Sequence, residues 1–344
     1  MTTVLITGGA GFIGSNFVEY MSKSYPDYQL VVLDALTYAG SMDNLPPEMR
    51  ELNNPRMRFW YGDVVNAELV DTLVADADYV VHFAAETHVT RSIFDNRLFF
   101  QTDVLGTHTV ANSVLKADGR IKRFVHISTS EVYGTAERPL IDEEHPLKPM
   151  SPYASAKCGA DRLVYSYWAT YKLPATIIRP FNNFGPRQHL EKVVPRFITS
   201  VLLDEPLTVH GSGMAARDFV FVEDVCRAID LVMHADAKSV DGEVLNVGSG
   251  VDRTILSIAQ DILGLIGRES SRVESTGDRP GQVVRHTADF DKIRRVLGWE
   301  PTVSWQDGLQ RTIDWYDKNR DWWNRQLWMR HIPIITAAGR REFH

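Results

Sequence analysis

The stretch Gly8-Gly9-Ala10-Gly11-Phe12-Ile13-Gly14, directly after the apolar run Val4-Leu5-Ile6, constrains this chain more than any other. Glycines at 8, 11 and 14, placed between a strand and a helix, permit a tight turn, close backbone approach to a pyrophosphate, and close helix-on-strand packing. The helix opening there presents unpaired N–H groups and a partial positive charge. The pattern predicts a dinucleotide cradle built from Gly8, Gly11, Phe12, Ile13 and Gly14. A purely structural glycine turn is the competing reading, and the next residues weigh against it.

Asp34 closes the apolar run Leu30-Val31-Val32-Leu33, twenty residues beyond Gly14. A carboxylate there accepts hydrogen bonds from ribose hydroxyls and would repel a 2′-phosphate, so NAD is expected rather than NADP. A third run, Tyr79 to Ala85, follows Gly62-Asp63-Val64. Asp63 and Val64 are expected along the adenine edge, and the small Ala84 and Ala85 let a cofactor lie against the backbone.

Further strand-like runs at Phe59–Tyr61, Phe124–Ser128 and Ala175–Arg179 alternate with helical stretches, among them Val104 to Leu115 and one starting near Tyr153. That alternation predicts an α/β Rossmann fold, a doubly wound parallel sheet over residues 1–180. Prolines then punctuate shorter elements, and residues 181–344 are expected to form a smaller C-terminal α/β substrate-binding lobe. The tail from Trp322 carries no readable pattern.

The 344 residues are 44% hydrophobic and carry a formal charge of −7. That balance argues against a broad nucleic-acid or anionic-membrane surface and leaves room for a small anionic substrate in a local basic groove. No apolar run approaches spanning length, and the first strand is too short for a signal peptide, so a cytoplasmic protein is expected. Cys158 and Cys226 suggest buried small residues, and the eleven histidines lack metal-ligand spacing, so no metal is expected.

Tyr153-Ala154-Ser155-Ala156-Lys157 puts a phenol and an ammonium on one helix face. A phenol is a poor base at neutral pH, but a neighbouring Lys⁺ and a cationic nicotinamide both favour phenolate. Tyr153 then serves as base toward an alcohol. Alone, the spacing is common on ordinary helices; the upstream glycine turn and Ser128-Thr129-Ser130-Glu131 give it weight.

These stretches resemble the extended short-chain dehydrogenase/reductases, and among them the NAD-dependent nucleotide-sugar 4,6-dehydratases. Leu33 to Gly40, Ala84 to Ser92, Thr129 to Gly134, Arg179 to Pro186, Arg217-Asp218-Phe219, Asn246-Val247-Gly248 and Arg279-Pro280-Gly281 carry the likeness. The resemblance implies that Tyr153 and Lys157 deprotonate a sugar 4-hydroxyl held by Thr129, that Glu131 abstracts the C5 proton, and that the cofactor is regenerated each turnover. It also implies substrate contacts from His88, Asn183, Glu191, Lys192, Arg217, Asn246 and Arg279, and a homodimer. For the two arginines the competing reading is a surface salt bridge.

Three positions depart from the pattern. Ser130 stands where the thymidine-linked enzymes usually carry an aspartic general acid, so the leaving-group proton must come from Glu131 or water. Asp103 replaces an asparagine common in relatives, and Gln282 a histidine; both are expected to bear on base and sugar specificity. Thr-Ser-Glu also occurs in GDP-mannose-type dehydratases, uronate decarboxylases and some 4-epimerases. Dehydration is favoured by Leu33 to Gly40 and Ala84 to Ser92. Decarboxylation, epimerisation and a non-catalytic NAD sensor remain alternatives.

Overall fold

The computed structural model describes residues 1–270, 272–277, 283–330, 333–335 and 341–343. Strands β1 (Thr3–Thr7), β2 (Gln29–Asp34), β3 (Met57–Tyr61), β4 (Tyr79–His82), β5 (Arg123–Ile127) and β6 (Ala175–Pro180) follow one another with helical crossovers. The chain then forms β7 (Asn182–Phe184), β8 (Leu207–His210) and β9 (Ala216–Phe221), and returns as β10 (Val244–Val247) to the main sheet. That sheet is seven-stranded and parallel, in the order β10-β6-β5-β4-β1-β2-β3. Strand order reverses between β1 and β4, which leaves a crevice beyond their carboxyl ends where ligands bind in such sheets.

Both faces of the sheet are covered, so β1 reads as an unbroken apolar run. Val4 and Ile6 pack with Phe17 and Val18 of the helix Phe12–Ser24 and with Val225 and Ile229 of the helix Val222–His234. Leu5, on the opposite side by the two-residue strand period, packs with Val70, Val110 and Val164 from the helices Ala67–Ala75, Thr107–Lys116 and Pro152–Tyr171. A third core, Phe184, Phe197, Phe219, Trp305, Tyr316 and Trp323, builds the smaller lobe. In it β9 pairs with β7, with β11 (Asp252–Thr254) and, beyond β12 (Val273–Thr276), with β13 (Arg285–His286).

The Trp-rich tail is structural through residue 330. Trp323 is buried and donates to the Tyr316 carbonyl at 2.7 Å, while Trp322 donates to Asn44 of the first lobe at 2.8 Å. Cys226 is buried as expected, whereas Cys158 is only half-buried. No helix among the described residues is long and apolar enough to cross a membrane.

Candidate active site

A cavity of about 470 Å³ runs from the glycine turn, past the carboxyl ends of β1, β2, β4 and β5, into the smaller lobe. Gly8, Gly11, Phe12, Ile13, Gly14, Asp34, Asp63, Val64, Ala84 and Ala85 line one end. Gly8 adopts φ +70°, and a Cβ there would lie 2.5 Å from the Ala84 nitrogen; a Cβ on Gly14 would overlap the Gly8 carbonyl oxygen. Only glycine at both positions keeps this wall thin. The Asp34 carboxylate accepts N–H groups from Ala10 at 2.9 Å and Leu36 at 2.8 Å. Each oxygen keeps a further lone pair, and burial raises its pKa. A thin backbone wall, a helix N-terminus and a carboxylate with spare acceptor capacity fit a dinucleotide.

The middle of the cavity is bordered by Thr129, Ser130, Glu131, Tyr153 and Lys157. Thr129 caps a 3₁₀ turn, Ser130–Tyr133, by accepting the Glu131 N–H at 3.2 Å, which fixes Ser130 and Glu131 just beyond β5. Ser151 caps the helix Pro152–Tyr171 through the Ala154 N–H at 3.1 Å, and Pro152 occupies its first turn. Tyr153 thus enters on the first turn and Lys157 one turn later.

The electrostatics differ from the sequence expectation. The Tyr153 phenol is pushed up, first by burial, then by the carboxylate of Asp103, with a Thr129 hydrogen bond pulling the other way. Lys157 is anchored: its Nζ donates to the Ile127 carbonyl at 2.6 Å, and burial lowers its pKa. Behind it lie two buried histidines held neutral. His82, between the hydroxyls of Thr7 at 2.6 Å and Thr107 at 3.0 Å, is pushed down to about 3 by burial, and His126 well below its usual value. No second cation therefore competes with Lys157 there.

The far end is bordered by Asn183, Glu191, Lys192 and Arg217. Asn183 donates to the Phe181 carbonyl at 3.1 Å, while its Oδ1 is buried with no partner among the described residues. Lys192 donates to the Thr87 carbonyl at 2.9 Å. The Glu191 carboxylate is covered, with Arg91 at 3.5 Å, His88 at 3.6 Å and the Tyr38 hydroxyl at 3.4 Å.

Two residues expected at the substrate are not brought to the cavity wall. His88 caps the helix Val89–Phe94, its Nδ1 accepting the Arg91 N–H at 3.1 Å. Asn246, fully buried on β10, accepts from the Tyr133 hydroxyl at 2.7 Å and donates to the Ile141 carbonyl at 2.9 Å. Arg279 and Gln282 lie outside the described residues. Asp103, expected to bear on substrate choice, is fully buried and absent from the cavity wall, so its effect falls on Lys157 and Tyr153. Sequence reasoning passed over Arg196, which borders the cavity from the helix Val193–Leu202 and whose pKa burial and then Arg330 lower to about 10. It also passed over Glu86, a bordering carboxyl raised to about 6, chiefly by burial.

A cradle for a dinucleotide beside a Tyr-x-x-x-Lys helix and a Thr-Ser-Glu turn defines a short-chain dehydrogenase/reductase site. Residues 5–312 match the family model described as GDP-mannose 4,6 dehydratase. The low-salt glycan biosynthesis protein Agl12 of Haloferax volcanii is 48% identical over 91% of this chain and 98% of its own length. The dTDP-glucose 4,6-dehydratase of Streptomyces niveus is 42% identical over 93% and 94%. The crystal structure of the dTDP-glucose 4,6-dehydratase DesIV of Streptomyces venezuelae, with NAD and TYD bound, superposes with a TM-score of 0.88 at 41% identity, covering 94% of this chain and 99% of that one. The chain belongs to the nucleotide-sugar 4,6-dehydratase family of extended short-chain dehydrogenase/reductases.

Proposed function

We propose that this NAD-dependent 4,6-dehydratase acts on deoxythymidine-diphosphate glucose, giving the 4-keto-6-deoxy sugar. The observation that carries the reading is that Thr129, Glu131, Tyr153 and Lys157 border one cavity with the glycine turn and Asp34. When bound there, NAD supplies the hydride acceptor at C4 and returns the hydride at C6. The nucleotide assignment draws on the Streptomyces niveus and Streptomyces venezuelae proteins.

Thr129 holds the 4-hydroxyl and Tyr153 takes its proton as C4 is oxidised. The new ketone acidifies the C5 proton, which Glu131 abstracts. The C6 hydroxyl then leaves as water. Ser130 is too weak an acid to protonate that oxygen, so Glu131 passes on the proton it has just received, and once the hydride is back at C6 a proton from solvent completes C5. Asn183 offers its unpartnered Oδ1 to a substrate hydroxyl, and Lys192, Arg196 and Arg217 give the diphosphate end cationic surroundings. Apolar Leu98, Leu105 and Tyr165, exposed on the segment 97–116 and the helix Pro152–Tyr171, support a homodimer through these helices. A cytoplasmic setting fits the pools of NAD and nucleotide sugar on which this chemistry draws.

Mass spectrometry in heavy water tests the reading, with dTDP-glucose, GDP-mannose, UDP-N-acetylglucosamine and UDP-glucuronate offered separately. Loss of water from dTDP-glucose with deuterium gained at C5 is expected. Loss of carbon dioxide from UDP-glucuronate, or a changed sugar at constant formula, overturns it.

A further inference from the structure

Residues Phe100–Gly106 form a π-helical segment packed against the helix Pro152–Tyr171. Such wide turns are rare and frequently sit at functional sites. Asp103 lies in this one, fully buried. Its Oδ1 accepts the Glu86 N–H at 2.8 Å, but its Oδ2 is buried with no hydrogen-bond partner among the described residues. A buried carboxylate oxygen of this kind is unfavourable unless opposite charge lies near. Lys157 supplies that charge without a direct hydrogen bond, each group acting on the other.

We propose that Asp103 is a positioning residue for proton transfer at Tyr153: a buried counter-charge to Lys157 that sets the pH range in which Tyr153 accepts a proton. This rests on the role given above to Tyr153. The arrangement has a direction. Burial raises the Asp103 carboxyl and lowers the Lys157 ammonium, while their mutual attraction opposes both shifts. On Tyr153 the same carboxylate adds to burial and holds the phenol protonated. Asparagine, the residue that the resemblance gives for many relatives, would keep an acceptor for Glu86 and remove the charge.

The groups acting on Asp103 are Lys157 from the helix Pro152–Tyr171 and Glu86 from the loop after β4, and Asp103 in turn acts on Tyr153. Asp161 on that helix, and His82 and His126 on β4 and β5, are coupled to Lys157. Both histidines are neutral, so Asp103 and Asp161 are the carboxylates balancing Lys157.

The test is Asp103→Asn, read in two ways on the full-length protein with NAD bound. The pH profile of turnover is expected to move to lower pH on both limbs, because loss of the negative charge eases ionisation of Tyr153 and deprotonation of Lys157. A displacement of about one pH unit or more is expected. Ultraviolet difference titration against a matched Tyr153→Phe protein isolates this phenol, which should ionise at lower pH in Asp103→Asn. That titration needs no sugar, so it separates failure of this proposal from failure of the substrate assignment. Superimposable profiles and an unmoved phenol overturn it. Should the substituted chain not fold, infrared spectra of the parent with ¹³C-labelled aspartate decide instead. A protonated-carboxyl stretch lost as pH rises through neutrality is expected, and its absence overturns the proposal.

Discussion

Arg179 grips Asp161 with two parallel bonds, Nε to Oδ2 at 2.8 Å and Nη2 to Oδ1 at 2.9 Å, both side chains being buried. Ser128 adds a bond to Asp161 Oδ2 at 2.6 Å, so the residue preceding Thr129 is tied to the helix that carries Tyr153 and Lys157. The pair fixes the distance between the two halves of the catalytic group. Arg179 also bonds the Tyr133 hydroxyl at 2.9 Å, which extends the lock to the Ser130–Tyr133 turn.

Asp161→Asn should therefore cost roughly 3–5 kcal/mol, because it leaves the Arg179 guanidinium buried without its counter-charge. Chemical denaturation measures this. The Asp161 carboxyl is held well below its usual range, although burial alone would raise it, because Arg179 and Arg162 outweigh that effect. A folded-state pKa below the unfolded one contributes stability that is present above about pH 4 and lost as pH falls through the folded value. The parent should lose stability on acidification below about pH 4 more steeply than the variant.

Tyr153→Phe should lower turnover on the order of 10²- to 10⁴-fold while NAD remains bound, since the ring is kept and only the proton acceptor is lost. Steady-state rates alongside NAD binding by calorimetry separate the two effects. Unchanged turnover would remove Tyr153 from the mechanism.

Glu131→Gln should divide the reaction. Oxidation at C4 depends on Tyr153 and proceeds, whereas abstraction at C5 has no base. NADH absorbance should appear in a single turnover and persist, with no 4-keto-6-deoxy product in the quenched mixture.

Gly14→Ala places a methyl against the Gly8 carbonyl oxygen. The turn must shift, at a cost of about 1–3 kcal/mol in overpacking. The wall that narrows is the one assigned to the pyrophosphate, so NAD affinity should fall further than thermal stability. Comparing melting with and without NAD tests this.

Arg196→Leu should raise KM for the nucleotide sugar with little change in kcat, because the side chain borders the cavity from the smaller lobe, away from the Thr129–Tyr153 group. Initial-rate kinetics with the substrate identified by mass spectrometry supply the measurement. A fall in kcat at constant KM would contradict a binding role.

The parallel sheet was legible because strands buried on both faces are rich in apolar residues, and the centres of β1, β2 and β4 are the runs Val4-Leu5-Ile6, Leu30-Val31-Val32-Leu33 and Tyr79-Val80-Val81. Strand β10 was not, since Val244–Val247 is short and becomes a strand only by pairing with β6, more than sixty residues earlier. The glycine turn, Asp34 and Asp63 share one end of the cavity, and glycine spacing is a direct statement about backbone clearance there. His88 and Asn246, expected at the substrate, do not border the cavity; their residue types suit a ligand and a buried hydrogen-bond network equally. Arg196 had a usable signal: Val194, Phe197, Ile198 and Val201 form the buried face of its helix, which sets Arg196 off the core. What no local pattern carries is the setting of Asp103, which depends on a π turn and on a lysine from another helix.

Strand β10, reached only after β7, β8 and β9, closes the outer flank of β6. A fragment stopped at Pro180 would carry the complete glycine cradle and Tyr153–Lys157 pair, yet leave the buried backbone of β6 as a bare edge. Such an edge recruits other strands. Residues 1–180 are therefore not a self-sufficient sheet: a strand more than sixty residues further along the chain covers their open edge.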